Sequence, residues 1–325
     1  MSESNNAIVA QGKATTMIGQ WADSVVGEVS KMYGAQGLIL GDYSRECAIN
    51  CVSAIYQLVK STDKVTIKDL NTSNVCDIVR RCASMKLNAN AFPREVYFTI
   101  RSKKVNDEYV KEIEMGIEGD GYDALLRNFG AGVARVYPAW IVKEGDYFVF
   151  PKHKGLEVTP PEWEESGDST KAIRVVYPVQ VQDGTVQYLI SERESVKTNL
   201  MAHVRQNLLT ETFGICASKY KATESEKQAI NEKKEEIMKA LADCETLDDM
   251  LACEAARPYM SAAWRDNPES MIIRKMRNNA IKRFPKDMDA LARDSMVLCD
   301  DTVQATQDEI EEKENATPIV FDEEV

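Results

Sequence analysis

The spacing of the apolar residues changes twice along the chain, and this limits the folds that the chain can adopt. A helical spacing comes first, in segments 17–32, 47–58 and 75–85. An alternating spacing typical of strands follows, in segments 96–100, 113–117, 133–142, 147–150, 173–181 and 186–190. The helical spacing then returns, in segments 196–209, 224–242, 247–255, 268–284 and 287–298. This order predicts an α+β protein in which small antiparallel hairpins pack on helices, not alternating βαβ units.

Turn and cap residues refine several of these boundaries. The polar stretch 102–108 is expected to join the first pair of strands, and Asp183-Gly184 the last pair. Ser73 and Asn74 are candidate caps for the third helix. A short helix at 123–129 is expected to end at the glycine that follows it.

Charge is unevenly distributed along the sequence. Residues 300–325 contain ten acidic residues and one lysine, a net charge of −9, which leaves −3 of the total −12 for the rest of the chain. Residues 271–286 contain six Lys or Arg and no acidic residue. A nearly neutral body with a basic stripe and an acidic tail is compatible with nucleic-acid binding, although the chain as a whole is acidic.

Cysteine and histidine counts restrict the chemistry further. The eight cysteines include no Cys-x-x-Cys spacing, and the only histidines are His153 and His203. Paired-cysteine and His-rich metal sites, and most Ser-His triads, are hard to build from this set. Scattered cysteines predict reduced thiols. Together with a polar N-terminal stretch and no apolar window of membrane-spanning length, they predict a cytoplasmic protein.

The basic stripe is predicted to be a helix. Asn267 is a candidate N-cap, Pro268 suits the first helical position, and Pro285 ends the pattern. On a helical wheel the apolar stripe is Ile273, Met276, Ala280 and Phe284. The polar residues fall on the opposite face, which is expected to be exposed to solvent. Solvated helix faces usually mix charge signs, because opposite charges one turn apart attract. A face of one sign favours contact with a polyanion, with an ordinary amphipathic helix that carries solvated cations as the alternative.

Two other clusters have more than one interpretation. Residues 116–121 contain three glycines, but two acidic residues among them would repel a phosphate, so a strand-to-helix turn is the favoured interpretation. Paired carboxylates at a strand end can also hold Mg²⁺ for phosphodiester cleavage. The carboxylates in question are Glu112, Glu114, Glu118, Asp120 and Asp123. A solvated strand face is the favoured interpretation of this cluster, and a magnesium-dependent nuclease is the alternative.

Basic and aromatic residues also occur together in the strand region. Arg101, Lys103 and Lys104 cluster at the tip of the first hairpin, and Arg127 follows nearby in the sequence. Aromatic residues interleaved with such cations suit single strands, whose bases are free to stack. The aromatic residues are Tyr97, Phe98, Tyr147, Phe148 and Phe150. Aromatic residues in strands more often form a core, and the core interpretation is favoured for these.

Several segments, taken in order, resemble the RecT family of phage single-strand annealing proteins. The resemblance begins at residues 79–88 and 94–98, a small helix followed by a strand that contains a tyrosine. It continues with a glycine-containing segment, a helix that ends in Arg-Asn-Phe-Gly, a Val-Lys-Glu-Gly-Asp turn and a late basic helix. The sequence departs from the family where the usual aromatic residue and lysine between two glycines are Ile117 and Glu118.

The resemblance implies a sheet packed on a central helix, assembly into rings or helical filaments, and ATP-independent pairing of complementary DNA strands. A phage exonuclease or a host single-strand-binding protein is the implied protein partner, and a bacterial cytoplasm the implied location. Composition predicts a disordered segment 1–12 and an acidic disordered tail 299–325, and the resemblance implies a DNA-binding, annealing and oligomerisation domain in between, at 13–298. No catalytic residue and no cofactor are expected, with Mg²⁺ left open.

The residues predicted to contact single-stranded DNA lie on the late helix, the first hairpin and the short helix. They are Arg274, Lys275, Arg277, Asn278, Lys282, Arg283, Arg101, Lys103, Lys104 and Arg127. A scaffold that binds a partner through its acidic tail is the non-enzymatic alternative. Residues 318–325 could dock on such a partner, the tail could compete with DNA for the basic helix, or it could only solubilise the chain.

Overall fold

The computed structural model describes residues 16–105, 108–217 and 222–299. The chain forms two compact units that meet in sequence between Ile117 and Glu118. The expected disorder of residues 1–12 and the acidic tail from residue 300 onward lie outside the described residues, so both stay predictions. Within the described residues, no helix is both long and apolar enough to cross a membrane.

The described residues of the first unit form three α-helices and one long hairpin. Its elements are α1 (Met17–Ala35), α2 (Asp42–Ser61), α3 (Thr72–Ser84), β1 (Val96–Val105) and β2 (Glu108–Ile117). Fully buried side chains of α2 and α3, among them Ile55 and Val79, form a core together with Ile113 of β2. The cysteines of this core are free thiols.

The cap of α3 is Asn71, not the predicted Ser73 or Asn74. The Asn71 side chain accepts hydrogen bonds from the backbone N–H groups of both of those residues. Asn74 is used elsewhere, because its side chain bonds both the N–H and the C=O of Ile113 on β2. A side chain that satisfies a strand backbone is not available to cap its own helix.

The first hairpin is longer than its apolar pattern predicts. Val96 pairs with Ile117, and the antiparallel register continues through Arg101 and Glu112 to Val105 and Glu108. The segment expected to be a loop therefore belongs mostly to the strands. Alternation marks a strand only where one face is buried, and near the hairpin tip side chains such as Tyr109 are exposed.

The second unit is built around a four-stranded antiparallel sheet. Its strands are β3 (Val133–Val136), β4 (Trp140–Lys143), β9 (Ala172–Val181) and β10 (Val186–Glu192). Strand β9 pairs with β10 on one side and with β3 and β4 in succession on the other. The expected single strand 133–142 is divided at Pro138, because proline cannot donate to the ladder. Short strands β5 (Tyr147–Val149), β6 (His153–Lys154), β7 (Glu157–Val158) and β8 (Glu162–Glu164) form two small pairs, β5 with β8 and β6 with β7.

Seven helices complete the described part of the second unit. They are α4 (Gly119–Phe129), α5 (Lys197–Leu208), α6 (Glu224–Ala242), α7 (Leu247–Ala252), α8 (Ala262–Asp266), α9 (Pro268–Lys282) and α10 (Ala290–Leu298). Helix α9 packs against β9, β10 and α4, which makes it the central helix of this unit. Small antiparallel sheets packed on helices, with a late basic helix at the centre, confirm the predicted α+β class.

Candidate nucleic-acid interface

Helix α9 begins and ends close to the predicted positions, but its start is fixed by a tertiary contact. Asn267 is the N-cap residue, although its side chain makes no capping bond. Glu269 accepts a hydrogen bond from the N–H of Ala172 on β9 and pairs with Arg193 at 2.7 Å. The guanidinium of Arg193 also binds Asp248 at 2.6 Å and the carbonyl of Ala172 at 3.0 Å. The first turn of α9 is thereby tied to the sheet and to α7.

The prediction of a solvent-exposed polar face on α9 is wrong. Asn278 is buried, and Arg274, Lys275, Arg277 and Lys282 are half-buried. Among the six cations of residues 271–286, all within the described chain, only Arg283 is exposed. A helical wheel assumes one buried face, whereas α9 has the sheet on one side and α4 on another. Ile272 and Ile281, outside the predicted stripe, are fully buried for the same reason.

Carboxylates at the start of α4 neutralise two cations in the middle of α9. Arg274 binds Glu118 at 3.0 Å, and Arg277 binds Asp120 at 2.9 Å and Asp123 at 2.7 Å. Three members of the predicted acidic cluster are thus ion-pair partners within the protein. They also lie in the first turns of a helix, where negative charge is favoured by the helix dipole.

The remaining two members of the acidic cluster lie on β2. Glu114 binds Arg101 at 2.7 Å, and Glu112 accepts a hydrogen bond from the side chain of Asn71 at 3.0 Å. In the described ranges, no group of three or more His, Cys, Asp or Glu residues could hold a metal ion. These contacts explain the carboxylates without invoking the nuclease alternative.

Arg277 is the centre of a partly buried network. Its Nε donates to the Tyr177 hydroxyl at 2.7 Å, and that hydroxyl donates to Asp123 at 2.7 Å. Burial, with the nearby Asp123 carboxylate, raises the pKa of Tyr177. A Cβ atom on Gly119 would lie only 3.3 Å from Nη1 of Arg277, so this glycine lets the guanidinium reach the first turn of α4. The glycine-containing segment at the start of α4 therefore lies against the guanidinium of Arg277.

The C-terminal end of the α4–α9 pair carries several positively charged residues. Helices α4 and α9 run in the same direction, because Glu118 at the start of α4 binds Arg274 in the middle of α9, and the carbonyl of Phe129 at the end of α4 accepts from the N–H of Asp287 beyond the end of α9. Their C-terminal turns therefore meet. Arg127, Lys282, Arg283 and Lys286 lie there, and we call these four residues the basic edge.

Cations at this position complement the negative ends of two helix dipoles. The Lys286 amine donates to the carbonyls of Ile281 at 2.7 Å and Phe284 at 2.9 Å, which caps α9. Burial, followed by repulsion from Lys282, lowers the pKa of Lys286 to about 8. Lys282 also lies 5.7 Å from the ring centre of Tyr122. The lowered pKa therefore reflects mainly the burial of the Lys286 amine, and secondly the nearby charge of Lys282.

The predicted hairpin cations belong to the first unit. Arg101 is exposed and paired with Glu114, and the backbone of β1 includes Lys103 and Lys104, whose side chains lie outside the described residues. Within the described part of the second unit, the predicted contacts Arg127, Lys282 and Arg283 lie at the C-terminal turns of α4 and α9, together with Lys286. Lys286 was not predicted as a contact, although its place as the sixth cation of the acid-free run could have indicated it.

A family model of the RecT family matches residues 50–320. The chain belongs to the RecT family. The RecT match includes both α4 and α9, and with them the whole basic edge. No curated protein and no solved structure matches the chain. Membership in the RecT family implies binding of single-stranded DNA and single-strand annealing in recombination, an activity that is generally not catalytic.

Proposed function

We propose that this RecT-family protein anneals complementary single strands of DNA without ATP. The basic edge supports this proposal most directly, because its four cations lie at the adjacent C-terminal ends of α4 and α9. The acidic residues of this helix pair instead bind Arg274 and Arg277, away from that end. Phosphate contacts from such an edge hold a strand without reading its sequence. The bases stay available to a second strand.

Independence from ATP is proposed on two grounds. Annealing exchanges stacking and pairing partners and breaks no covalent bond, so it requires no catalytic group. The glycines that could have formed a phosphate loop are occupied by protein side chains: the Tyr97 ring covers Gly116, and Arg277 approaches Gly119. The proposed setting is phage recombination in a bacterial cytoplasm, with the protein assembled as a ring or filament beside an exonuclease or a single-strand-binding protein.

We expect purified protein to anneal two complementary oligonucleotides at the same rate with and without ATP. Affinity for single strands should fall steeply with salt, because each neutralised phosphate releases counterions, with a log–log slope of about −0.7 per contact. Quenching between two dye-labelled strands measures the rate, and fluorescence anisotropy at several salt concentrations measures the slope. An absolute ATP requirement or an affinity that does not respond to salt would contradict the proposal.

A further inference from the structure

The sheet of the second unit has a face that points away from α9. On β9, Tyr177 points toward α4 and α9, where it binds Asp123 and Arg277. Because side chains alternate along a strand, Arg174, Val176 and Pro178 lie on the opposite face. Their antiparallel partners on β10, including Tyr188 and Glu192, share that face. We call this the outer face.

Fixed aromatic rings cover part of the outer face. Trp140 stacks on Trp163 with ring centres 5.7 Å apart, and Tyr188 lies 6.1 Å from Trp140. The Trp163 indole donates to Asp146 at 3.0 Å, and Asp146 also accepts from the N–H groups of Lys143 and Ser166. These hydrogen bonds lower the pKa of Asp146 and fix the segment that holds Trp163 over the sheet.

A second aromatic group surrounds Arg174. Its guanidinium forms a two-point pair with Glu192, at 2.6 and 3.0 Å, which fixes its position. The guanidinium carbon lies 4.3 Å from the ring centre of Phe148 and 4.2 Å from that of Phe150. Phe148 is largely covered, whereas Phe150 is 51% exposed. Phe150 is therefore an aromatic ring that is held in place by a cation and still accessible to solvent.

Charged side chains of both signs lie near Phe150. Lys152 and Lys154 lie two and four residues after Phe150 and are exposed. Glu162 and Glu164 pair in register with Val149 and Tyr147, so they lie on the other side of the β5–β8 pair from Phe148 and Trp163. Glu192 holds Arg174, and Glu157 pairs in register with Lys154. Lys152 and Lys154 are the cations closest to Phe150 in the sequence.

We propose that Phe150, held by Arg174, is a stacking platform for an unpaired DNA base, and that Lys152 and Lys154 contact the phosphates beside that base. This rests on the proposed function, because it requires a single strand as ligand. Exposed aromatic faces next to cations bind bases with little sequence preference, since every base has a π-face. In a duplex those faces are covered by neighbouring pairs. The platform therefore favours the unannealed strand and loses its contact once pairing is complete.

The test compares Phe150→Leu with Phe150→Trp on two ligands. One ligand is an oligo(dT), and the other is an abasic deoxyribose-phosphate chain of the same length and charge. Leucine keeps the apolar volume over Arg174 but has no π-face, so affinity for oligo(dT) should fall about fivefold or more, in line with the loss of one stacked base. Affinity for the abasic chain should not change. Phe150→Trp should bind oligo(dT) at least as well as the wild type.

Tyr147→Leu is the matched control, because Tyr147 is 54% exposed but lies on the acidic side with Glu164. It should bind both ligands like the wild type. The proposal is overturned if Phe150→Leu loses affinity for both ligands equally, if it loses none, or if it changes only the sedimentation of the free protein. If the wild type binds neither ligand, the proposed function itself is refuted. If the wild type anneals normally and Phe150→Leu binds both ligands like the wild type, only the platform is refuted.

Discussion

Replacing Arg277 with methionine should lower the free energy of unfolding by about 3 kcal/mol, the lower end of the range for a broken buried pair. The substitution leaves Asp120, Asp123 and the Tyr177 hydroxyl without the cation that joins them. The lower end applies because the Asp120 side chain is 34% exposed and water can solvate part of its charge. Urea unfolding followed by circular dichroism measures the change.

Two further variants separate the ion-pair network from other effects of removing Arg277. Arg265→Met removes an exposed arginine from the neighbouring helix α8 and should change stability little. Adding Asp120→Asn and Asp123→Asn to Arg277→Met should recover part of the lost stability, because the uncompensated charges are then gone. A loss below about 1 kcal/mol for Arg277→Met would mean that the pairs behave as surface salt bridges.

DNA binding by Arg277→Met distinguishes two roles for Arg277, a contact with phosphate and an ion-pair partner within the protein. The sequence predicted Arg277 as a phosphate contact, whereas the structure engages its guanidinium with two carboxylates and a tyrosine. If that engagement persists with DNA bound, folded Arg277→Met should bind single strands with nearly wild-type affinity. A large loss of affinity in the folded variant would restore the predicted role.

Local signals in the sequence predicted helices well where a cap and an apolar period agreed. Helix α6 was predicted at residues 224–242, its observed bounds, and Thr223 with Glu226 forms a capping box at its start. The start of α9 was predicted from Asn267 and Pro268, although Asn267 makes no capping bond and Glu269 ties the first turn to the sheet. The capping box of α6 acts within one turn of helix, so its own segment contains all the information it needs.

Contacts between distant segments could not be predicted in this way. The partners of Arg274 and Arg277 lie about 150 residues earlier, on α4, and nothing in the acid-free run indicates them. The run was therefore interpreted as a solvent-exposed face of one sign, although two of its cations are neutralised within the protein. The prediction of the α3 cap was wrong for a similar reason, because the Asn74 side chain accepts a hydrogen bond from the backbone N–H of Ile113 on β2.

The aromatic residues show the same limit. The core interpretation favoured for them is wrong for Tyr147 and Phe150, which are 54% and 51% exposed. The residue that fixes Phe148 and Phe150 is Arg174, on a strand that lies more than twenty residues later in the sequence. Spacing alone therefore indicated neither the support of these rings nor their exposure.

The basic edge gives the second large expected effect. Lys282→Ala combined with Arg283→Ala should weaken binding of single-stranded DNA about tenfold or more, because two cations next to the joined C-terminal turns are removed. The loss should be the same for oligo(dT) and for mixed sequences, since phosphate contacts carry no sequence information. If each side chain makes one phosphate contact, the slope of log affinity against log salt should become shallower by about 1.4.

Lys233→Ala combined with Lys239→Ala is the control of equal charge change, because both lysines are exposed on α6, where acidic residues are interspersed. Its affinity should stay close to that of the wild type, with only the small uniform decrease expected from a changed net charge. Circular dichroism should show both double variants folded, since Arg283 is exposed and Lys282 lies at the last turn of α9. If both double variants lost affinity to the same extent, binding would depend on net charge alone. The proposed contact would then have to lie away from the basic edge, with the hairpin cation Arg101 as the next candidate.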